Sequence, residues 1–366
     1  MRSGRHGPFA SRAPFFFAAL AAVQAVAAQP CLYNIGVTTA TRHPSSQEVA
    51  PGIDDRRVAV MVPSFNHASF VERALRSIFR QTLPPASLLV IDDGSQDDSP
   101  RVIERTLRDC AFPCELIARS NRGLCATLNE GLTKTGGTYF AYLGSDDLWL
   151  PDFLAARVST LESRPRAALA YGHAFLINEG DRIIDCTADW ADYTDGGARA
   201  MLLLENIAPM SPTVLHRRST LERHGWNESA RLEDYELYLR LSAEGEFAFD
   251  PTVLSAWRQH RSNTSRDFVW MIEARLEAQK NVAAEIGLSA DELQRAEQAL
   301  NFAGAEDLLR LGDKKAALKF LRRGSAPSYA ALARIGLRLV APRFLVEWRR
   351  RRTHADATSR YGTLSL

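Results

Sequence analysis

The stretches VAVMVPSFN (58–66) and LLVIDDGSQDD (88–98) decide how this chain folds. Val58-Ala59-Val60-Met61-Val62 is an unbroken apolar run halted at Pro63. A run without polar alternation marks a strand covered on both faces. The loop Ser64-Phe65-Asn66-His67-Ala68 follows. Ser69 and Glu72 then have capping-box spacing, and Val71, Leu75 and Ile78 recur at helical period up to Gln81. Leu88 to Ile91 is a second short buried strand, and it ends directly in Asp92-Asp93-Gly94-Ser95. The unit repeats. Ser99 and Pro100 suit an N-cap and first helical position of a helix through about Arg108, and Cys114 to Ala118 is a third strand. A helix from Leu124 to about Lys134 is stopped by Gly136-Gly137, and a fourth strand, Tyr139 to Leu143, ends in Gly144-Ser145-Asp146-Asp147. Strands alternating with helices imply a mostly parallel sheet with right-handed crossovers, sandwiched by helices. Ligands of such sheets bind beyond the carboxyl ends of the strands, where both aspartate pairs fall.

Outward from this core the pattern is mixed. A helix is expected over 153–161, a strand over 168–173, a helix near 199–205, a strand over 213–216 and a helix over 233–244. Residues 267–324 read as helical, with Phe302, Ala303, Leu308, Leu309, Ala316, Leu318 and Leu321 lining a small hairpin. From Lys314 to Arg352 there are twelve Lys or Arg and one acid, Glu347, although the whole chain of 366 residues carries a net charge of only +2. So small a net charge gives no field for nucleic acid. Tyr329, Leu332, Ile335 and Leu339 share one helical face ahead of Phe344, Leu345, Trp348 and Arg349 to Arg352. That basic amphipathic stretch suits either peripheral contact with an anionic membrane or a helix packed on the core with a solvated tail. At the other end, Arg2, Arg5 and Arg12 precede an apolar stretch from Pro14 to Ala28 that resembles a signal peptide. A membrane anchor, a disordered leader and a misassigned start codon are the competing readings. The expected organisation is a leader and linker over 1–56, an enzyme domain over 57–266 with halves 57–160 and 161–266, a basic helical extension over 267–352 and a tail over 353–366. Five cysteines without a CxxC pair fit neither a disulfide framework nor a zinc knuckle, and favour a cytosolic home with export left open. Cys125 reads as a buried structural thiol.

No GxGxxG follows a strand and no GxxxxGK[ST] is present, so dinucleotide and P-loop chemistry lose their main support. A diphosphate must be handled otherwise, and carboxylate-held Mg²⁺ or Mn²⁺ is the natural means, with Asp146-Asp147 placed to supply a ligand. In chain order, VPSFN (62–66), DDGSQDD (92–98), NRGLCATLNEGL (121–132), GSDDLWLP (144–151), LEDYELYLRL (232–241) and WRQHRSNTS (257–265) together resemble glycosyltransferase family 2 and its Rossmann-like GT-A fold. The resemblance covers about residues 57–266.

That resemblance implies an inverting transfer of a sugar from a nucleoside diphosphate, with UDP-sugars favoured, onto a hydroxyl of a glycan or lipid-linked acceptor in cell-surface polysaccharide biosynthesis. It implies that Pro63 and Asn66 border the nucleotide, Asp93 accepts a hydrogen bond from the base, Asp146 contacts the ribose and Asp147 holds the metal. Asp234 becomes the base that takes the acceptor's proton. Glu233, Asn206 and Ser211 line the acceptor side, and Arg258 and His260 lie near the diphosphate or metal. Many members carry Asp where this chain has Gly144, which leaves fewer carboxylates for a metal. Each motif has a plainer reading: an Asp-Gly turn at 92–94, a solvated loop or N-cap at 146–147, and favourable first-turn acids at 233–234. A nucleotidyltransferase would need a Gly-rich basic first loop, which Ser64 to Ala68 does not provide. A non-catalytic glycan-binding module that kept the fold would be free to lose Asp93, Asp147 and Asp234, and all three remain.

Overall fold

In a computed structural model, residues 58–365 are described; the leader and linker expected over 1–56 lie outside them. Strand β1 (Val58–Ser64) takes an interior place, between two parallel neighbours, in a nine-stranded sheet because its two faces are both apolar. Ala59 and Met61 join Leu89, Ile91, Phe140 and Tyr142 in one buried cluster, whereas Val58, Val60 and Val62 join Leu88, Val90, Tyr139 and Ala141 in another. Two-residue periodicity thus splits one apolar run between two cores.

The elements that follow are α1 (Val71–Phe79), β2 (Ser87–Asp92), α2 (Ser99–Leu107), β3 (Cys114–Ala118), α3 (Leu124–Lys134), β4 (Tyr139–Tyr142), β5 (Leu148–Trp149) and α4 (Phe153–Ser163). Next come β6 (Ala167–Asn178), β7 (Ile183–Cys186), a π-helical turn (Met201–Glu205), a 3-10 turn (Ser211–Thr213), β8 (Leu215–Arg217), α5 (Arg218–His224), α6 (Glu233–Glu244) and β9 (Glu246–Gln259). The strand order is β3-β2-β1-β4-β8-β6-β9-β5, with β7 paired to β6. Strands β3, β2, β1 and β4 are mutually parallel; β8, β7 and β5 run against their neighbours, while β6 pairs parallel with β9. The sheet is therefore mostly parallel, as the alternation of elements implied.

Several local expectations change. The Ser69/Glu72 capping box does not form: α1 starts after Phe70 with no side-chain cap, and Glu72 instead accepts from Arg76 at 3.0 Å and Arg105 at 3.1 Å. Asp98 rather than Ser99 is the N-cap of α2. The helix expected near 199–205 is a π-helical turn closed by Asn206 in the left-handed conformation, φ 59°.

The C-terminal extension is α7 (Phe268–Val282), α8 (Ala290–Arg310), α9 (Lys314–Leu321), α10 (Tyr329–Val340) and α11 (Arg343–Tyr361), with a complete capping box from Ser289 and Glu292 at the start of α8. Phe302, Leu308, Leu309 and Phe320 fill its own small core, but Leu318 is 47% exposed and lies outside it. Residues 353–365 pack against β7 and the residue before it. Helix α11 continues through Tyr361, Thr358 Oγ1 donates to the Ile183 carbonyl at 2.6 Å, and Thr363 bridges to Arg182.

Candidate active site

The loop after β1 and the loop after β2 are stitched together at the carboxyl edge of the sheet. Asn66 adopts φ 56°, a left-handed conformation that asparagine tolerates better than most residues. Its backbone N–H donates to Ser95 Oγ at 2.8 Å, and its side-chain Oδ1 accepts from the Gln96 N–H at 2.7 Å. Asp92 is buried and accepts from the Ser95 N–H and hydroxyl at 2.9 and 2.6 Å, so it builds the turn. Asp93 faces the other way. It accepts from the Arg122 N–H at 2.9 Å, from the Gly123 N–H at 2.8 Å and from the Arg119 guanidinium. Gly94 at φ 83° is required here, since a Cβ would sit 2.7 Å from the Asn121 nitrogen. Pro63, in register with Ile91, lies next to these loops.

The second aspartate pair divides its work. Asp146 Oδ2 bonds to His260 Nε2 at 2.8 Å, and its Oδ1 lies 3.7 Å from His67 Nδ1. His67 Nδ1 also meets Ser145 Oγ at 2.8 Å. His260 is held from behind by Ser262 Oγ, at 2.8 Å from Nδ1. One donor atom from each of His67, Asp146 and His260 lies within 4.8 Å of the others, a spacing compatible with one cation. Burial pushes the Asp146 carboxyl up, but the His260 hydrogen bond and the nearby His67 ring outweigh it and leave the pKa below its ordinary value. Burial lowers the pKa of His67, favouring the neutral ring that binds metals.

Asp147, expected to hold the metal, is not one of the three. Its Oδ1 accepts from the Arg258 N–H at 2.8 Å, and burial together with the adjacent Asp146 charge raises its pKa well above the usual range. Arg258 is turned into the protein. Fully buried, its guanidinium donates to the carbonyls of Asp146 at 2.7 Å and Asn178 at 2.9 Å, pairs with Asp181 at 2.6 Å and stacks over Phe70. It fixes the backbone that presents Asp146. Gly144 fits this crowding: a Cβ there would meet Asp146 Oδ1 at 2.9 Å and Asp147 Oδ2 at 3.1 Å. His67 was missed by sequence reasoning, and only its place in the loop after β1 hinted at it.

A cavity of about 670 Å³ adjoins the Arg122-Gly123 turn. Asn206, Ser211 and Glu233, the residues expected on the acceptor side, line it together with Asp234, the expected base. Glu233 and Asp234 open α6, where the unpaired N–H groups favour negative charge. Asp234 Oδ1 accepts from the Tyr235 N–H at 2.6 Å. Burial and the neighbouring Asp234 push Glu233 up to about 8. Burial also raises Asp234, opposed by the Tyr235 N–H and by the Arg275 cation. A close pair of this kind holds one proton near neutrality. Arg275 comes from α7, donates to the Asn206 carbonyl at 3.2 Å and lies 4.7 Å from the centre of the Tyr235 ring. Trp190, Tyr193, Trp257 and Trp270 supply aromatic walls. Of these cavity residues, Arg275 and Trp270 belong to the extension and carried no sequence signal. Cys125 also lines the cavity, but burial raises its thiol to about 12, which leaves it inert.

Residues 59–195 match the family model described as Glycosyl transferase family 2. Among curated proteins, the chain is 23% identical over 209 residues to the chondroitin synthase of Escherichia coli, covering 57% of this chain and 30% of that protein. It is 29% identical over 205 residues to the succinoglycan biosynthesis protein ExoU of Rhizobium meliloti (strain 1021), covering 51% of this chain and 57% of that protein. The chain spans 52% of one curated relative it matches, and between 21% and 71% of the others. Among solved structures, the mannosyltransferase PcManGT from Pyrobaculum calidifontis, in complex with GDP-Man and Mn²⁺, superposes with a TM-score of 0.55 at 19% identity, over 86% of this chain and 90% of that one. That likeness concerns the fold, which is of the GT-A type.

Proposed function

We propose that this chain, whose residues 59–195 belong to glycosyl transferase family 2, moves a sugar from a nucleoside-diphosphate donor, with UDP-sugars favoured, to a hydroxyl acceptor with inversion. The observation that carries this reading is the Glu233-Asp234 pair at the start of α6, opening into a cavity that adjoins the Asp93 turn. The nucleotide lies along the β1 and β2 loops, bordered by Pro63 and Asn66, with the remaining acceptor capacity of Asp93 turned to the base. Asp146 is shared between the ribose side and the cation. In the transfer, the acceptor oxygen forms a bond to the anomeric carbon as the bond from that carbon to the diphosphate oxygen breaks. The hydroxyl proton passes to the Asp234 carboxylate. With Glu233 protonated and Arg275 alongside, the single negative charge of the pair rests on Asp234.

His67, Asp146 and His260 would hold a divalent cation. Two imidazoles beside one carboxylate fit Mn²⁺ better than Mg²⁺, which prefers an all-oxygen shell. The chemistry such an ion would supply there is neutralisation of charge on a diphosphate. Asp147 supports this site through the Arg258 backbone. The transferase domain is 57–266, and the helical extension 267–352 completes the cavity with Trp270 and Arg275. The acceptor is a glycan or lipid-linked sugar of surface polysaccharide synthesis, reached from the cytosolic side of the membrane. No helix among the described residues is long and apolar enough to cross a membrane, and peripheral attachment is part of this reading.

The test is release of nucleoside diphosphate by purified protein with Mn²⁺ or Mg²⁺ and a panel of UDP-, GDP- and dTDP-sugars. Asp234→Asn is expected to lower acceptor-dependent release by about 100-fold or more while nucleotide binding by calorimetry is retained. Undiminished release in that variant would overturn the base assignment.

A further inference from the structure

The strongest unexplained feature lies far along the chain from the acid pair, at the corner between α10 and α11. Among the described residues, thirteen large hydrophobics are exposed, and seven of them fall between Tyr329 and Trp348. Tyr329 is 91% exposed, Leu337 70%, Val340 77% and Phe344 67%. Sequence periodicity placed Tyr329, Leu332, Ile335 and Leu339 on one apolar face, but the fold uses that helix differently. Ala331 and Ile335 are buried in the small helical core, whereas Tyr329, Leu332, Leu337 and Val340 face solvent. At about 100° per residue, the exposed residues Tyr329, Leu332, Ala333, Gly336, Leu337 and Val340 span an arc of roughly 140° that contains no charge. The two arginines of α10 are occupied elsewhere, since both Arg334 and Arg338 pair with Glu306.

The start of α11 adds cations to this apolar corner. Phe344, Leu345 and Trp348 are exposed, and the Arg352 guanidinium sits 5.5 Å from the Trp348 ring centre. Glu347 pairs with Arg343 and Asp356 with Arg352, so Arg349, Arg350 and Arg351 have no acidic partner among the described residues. An isolated apolar face would fit many occupants. Aromatic side chains set beside unpaired arginines fit a surface that is apolar inside and anionic at its rim.

We propose that the α10–α11 corner is a membrane-docking surface, which inserts Leu337, Val340, Phe344 and Trp348 among the acyl chains of a bilayer while Arg349 to Arg351 contact anionic headgroups. Tryptophan and arginine at such a boundary each keep a polar end in the headgroup layer. This deepens the peripheral attachment in the reading above, and it needs no transfer activity to be true. The partner is an anionic lipid surface, because a second copy of this chain would bring a like-charged corner against this one.

Vesicle co-sedimentation of the full chain tests it, using phosphatidylcholine alone and phosphatidylcholine with about a third phosphatidylglycerol. Binding is expected to the anionic vesicles, with weakening in 0.5 M salt and a blue shift of tryptophan emission. A Val340→Glu/Phe344→Glu variant tests the apolar part. Arg349→Gln/Arg350→Gln/Arg351→Gln tests the charged part and is expected to lower partitioning on the order of 100-fold, at roughly fivefold per cation near the surface. Both variants alter exposed side chains and should keep wild-type donor turnover in solution, so loss of binding with turnover intact separates docking from catalysis. Absence of binding by the unaltered chain, or equal binding by the variants, overturns the proposal; equal binding would move the contact to another segment such as Pro14 to Ala28. A dimer in sedimentation that Val340→Glu/Phe344→Glu dissolves would likewise overturn it in favour of self-association.

Discussion

Glu233→Gln offers a test of the acid pair that does not depend on knowing the substrate. Glu233 is held at about 8 against an ordinary 4.5, first by burial and then by the Asp234 charge. At 1.36 kcal/mol per pH unit, ionising it in the folded protein costs about 5 kcal/mol more than in the unfolded chain. Between pH 4.5 and about 8 the folded state therefore binds more protons than the unfolded state. Stability must fall as pH rises through that window and level off above it. Glutamine has no proton to lose, so the variant lacks this slope. Any pH-independent cost of seating an amide at the α6 start shifts its curve without tilting it. The quantity to measure is the difference in unfolding free energy between variant and parent, from urea titrations at pH 5 and pH 9. It should move in the variant's favour by about 4 kcal/mol between the two. Parallel stability curves for the two proteins would refute the reasoning and would mean that Glu233 is already ionised in the folded state.

Further outcomes follow from the same geometry. Arg275→Met removes the cation beside Asp234, which also faces Glu233, Tyr142 and Tyr238. It should move the acidic limb of the kcat/KM profile up by roughly one pH unit, and Arg275→Lys should largely restore it. His67→Ala should weaken Mn²⁺ binding, read by electron paramagnetic resonance titration, by about tenfold or more without loss of fold, because the imidazole is partly exposed and replaceable by water. Unchanged Mn²⁺ affinity would shift the cation toward Asp147.

Much of the nucleotide half was legible in the sequence. Helices α3 and α6 run over the residues that local pattern predicts, because amphipathic helices write their burial into a short window of sequence; strand β3 does so too, although none of its residues is buried. The convergence of Asn206, Ser211, Glu233 and Asp234 on one cavity follows from motif order as well. Misreadings came where a local rule competed with tertiary contacts. Glu72 left its capping partner for Arg76 and Arg105.

The sequence by itself determined the alternation of strands and helices, the placing of both aspartate pairs at strand ends and the basic character of residues 314–352. Each of these depends on neighbours within a turn or a strand. Only the tertiary structure decided that His67, Asp146 and His260 share one site while Asp147 is drawn to a backbone N–H, that Arg275 reaches the acid pair from the extension, and which face of α10 is buried. Those outcomes depend on residues dozens to hundreds of positions apart, which burial and close packing bring together and no local period records.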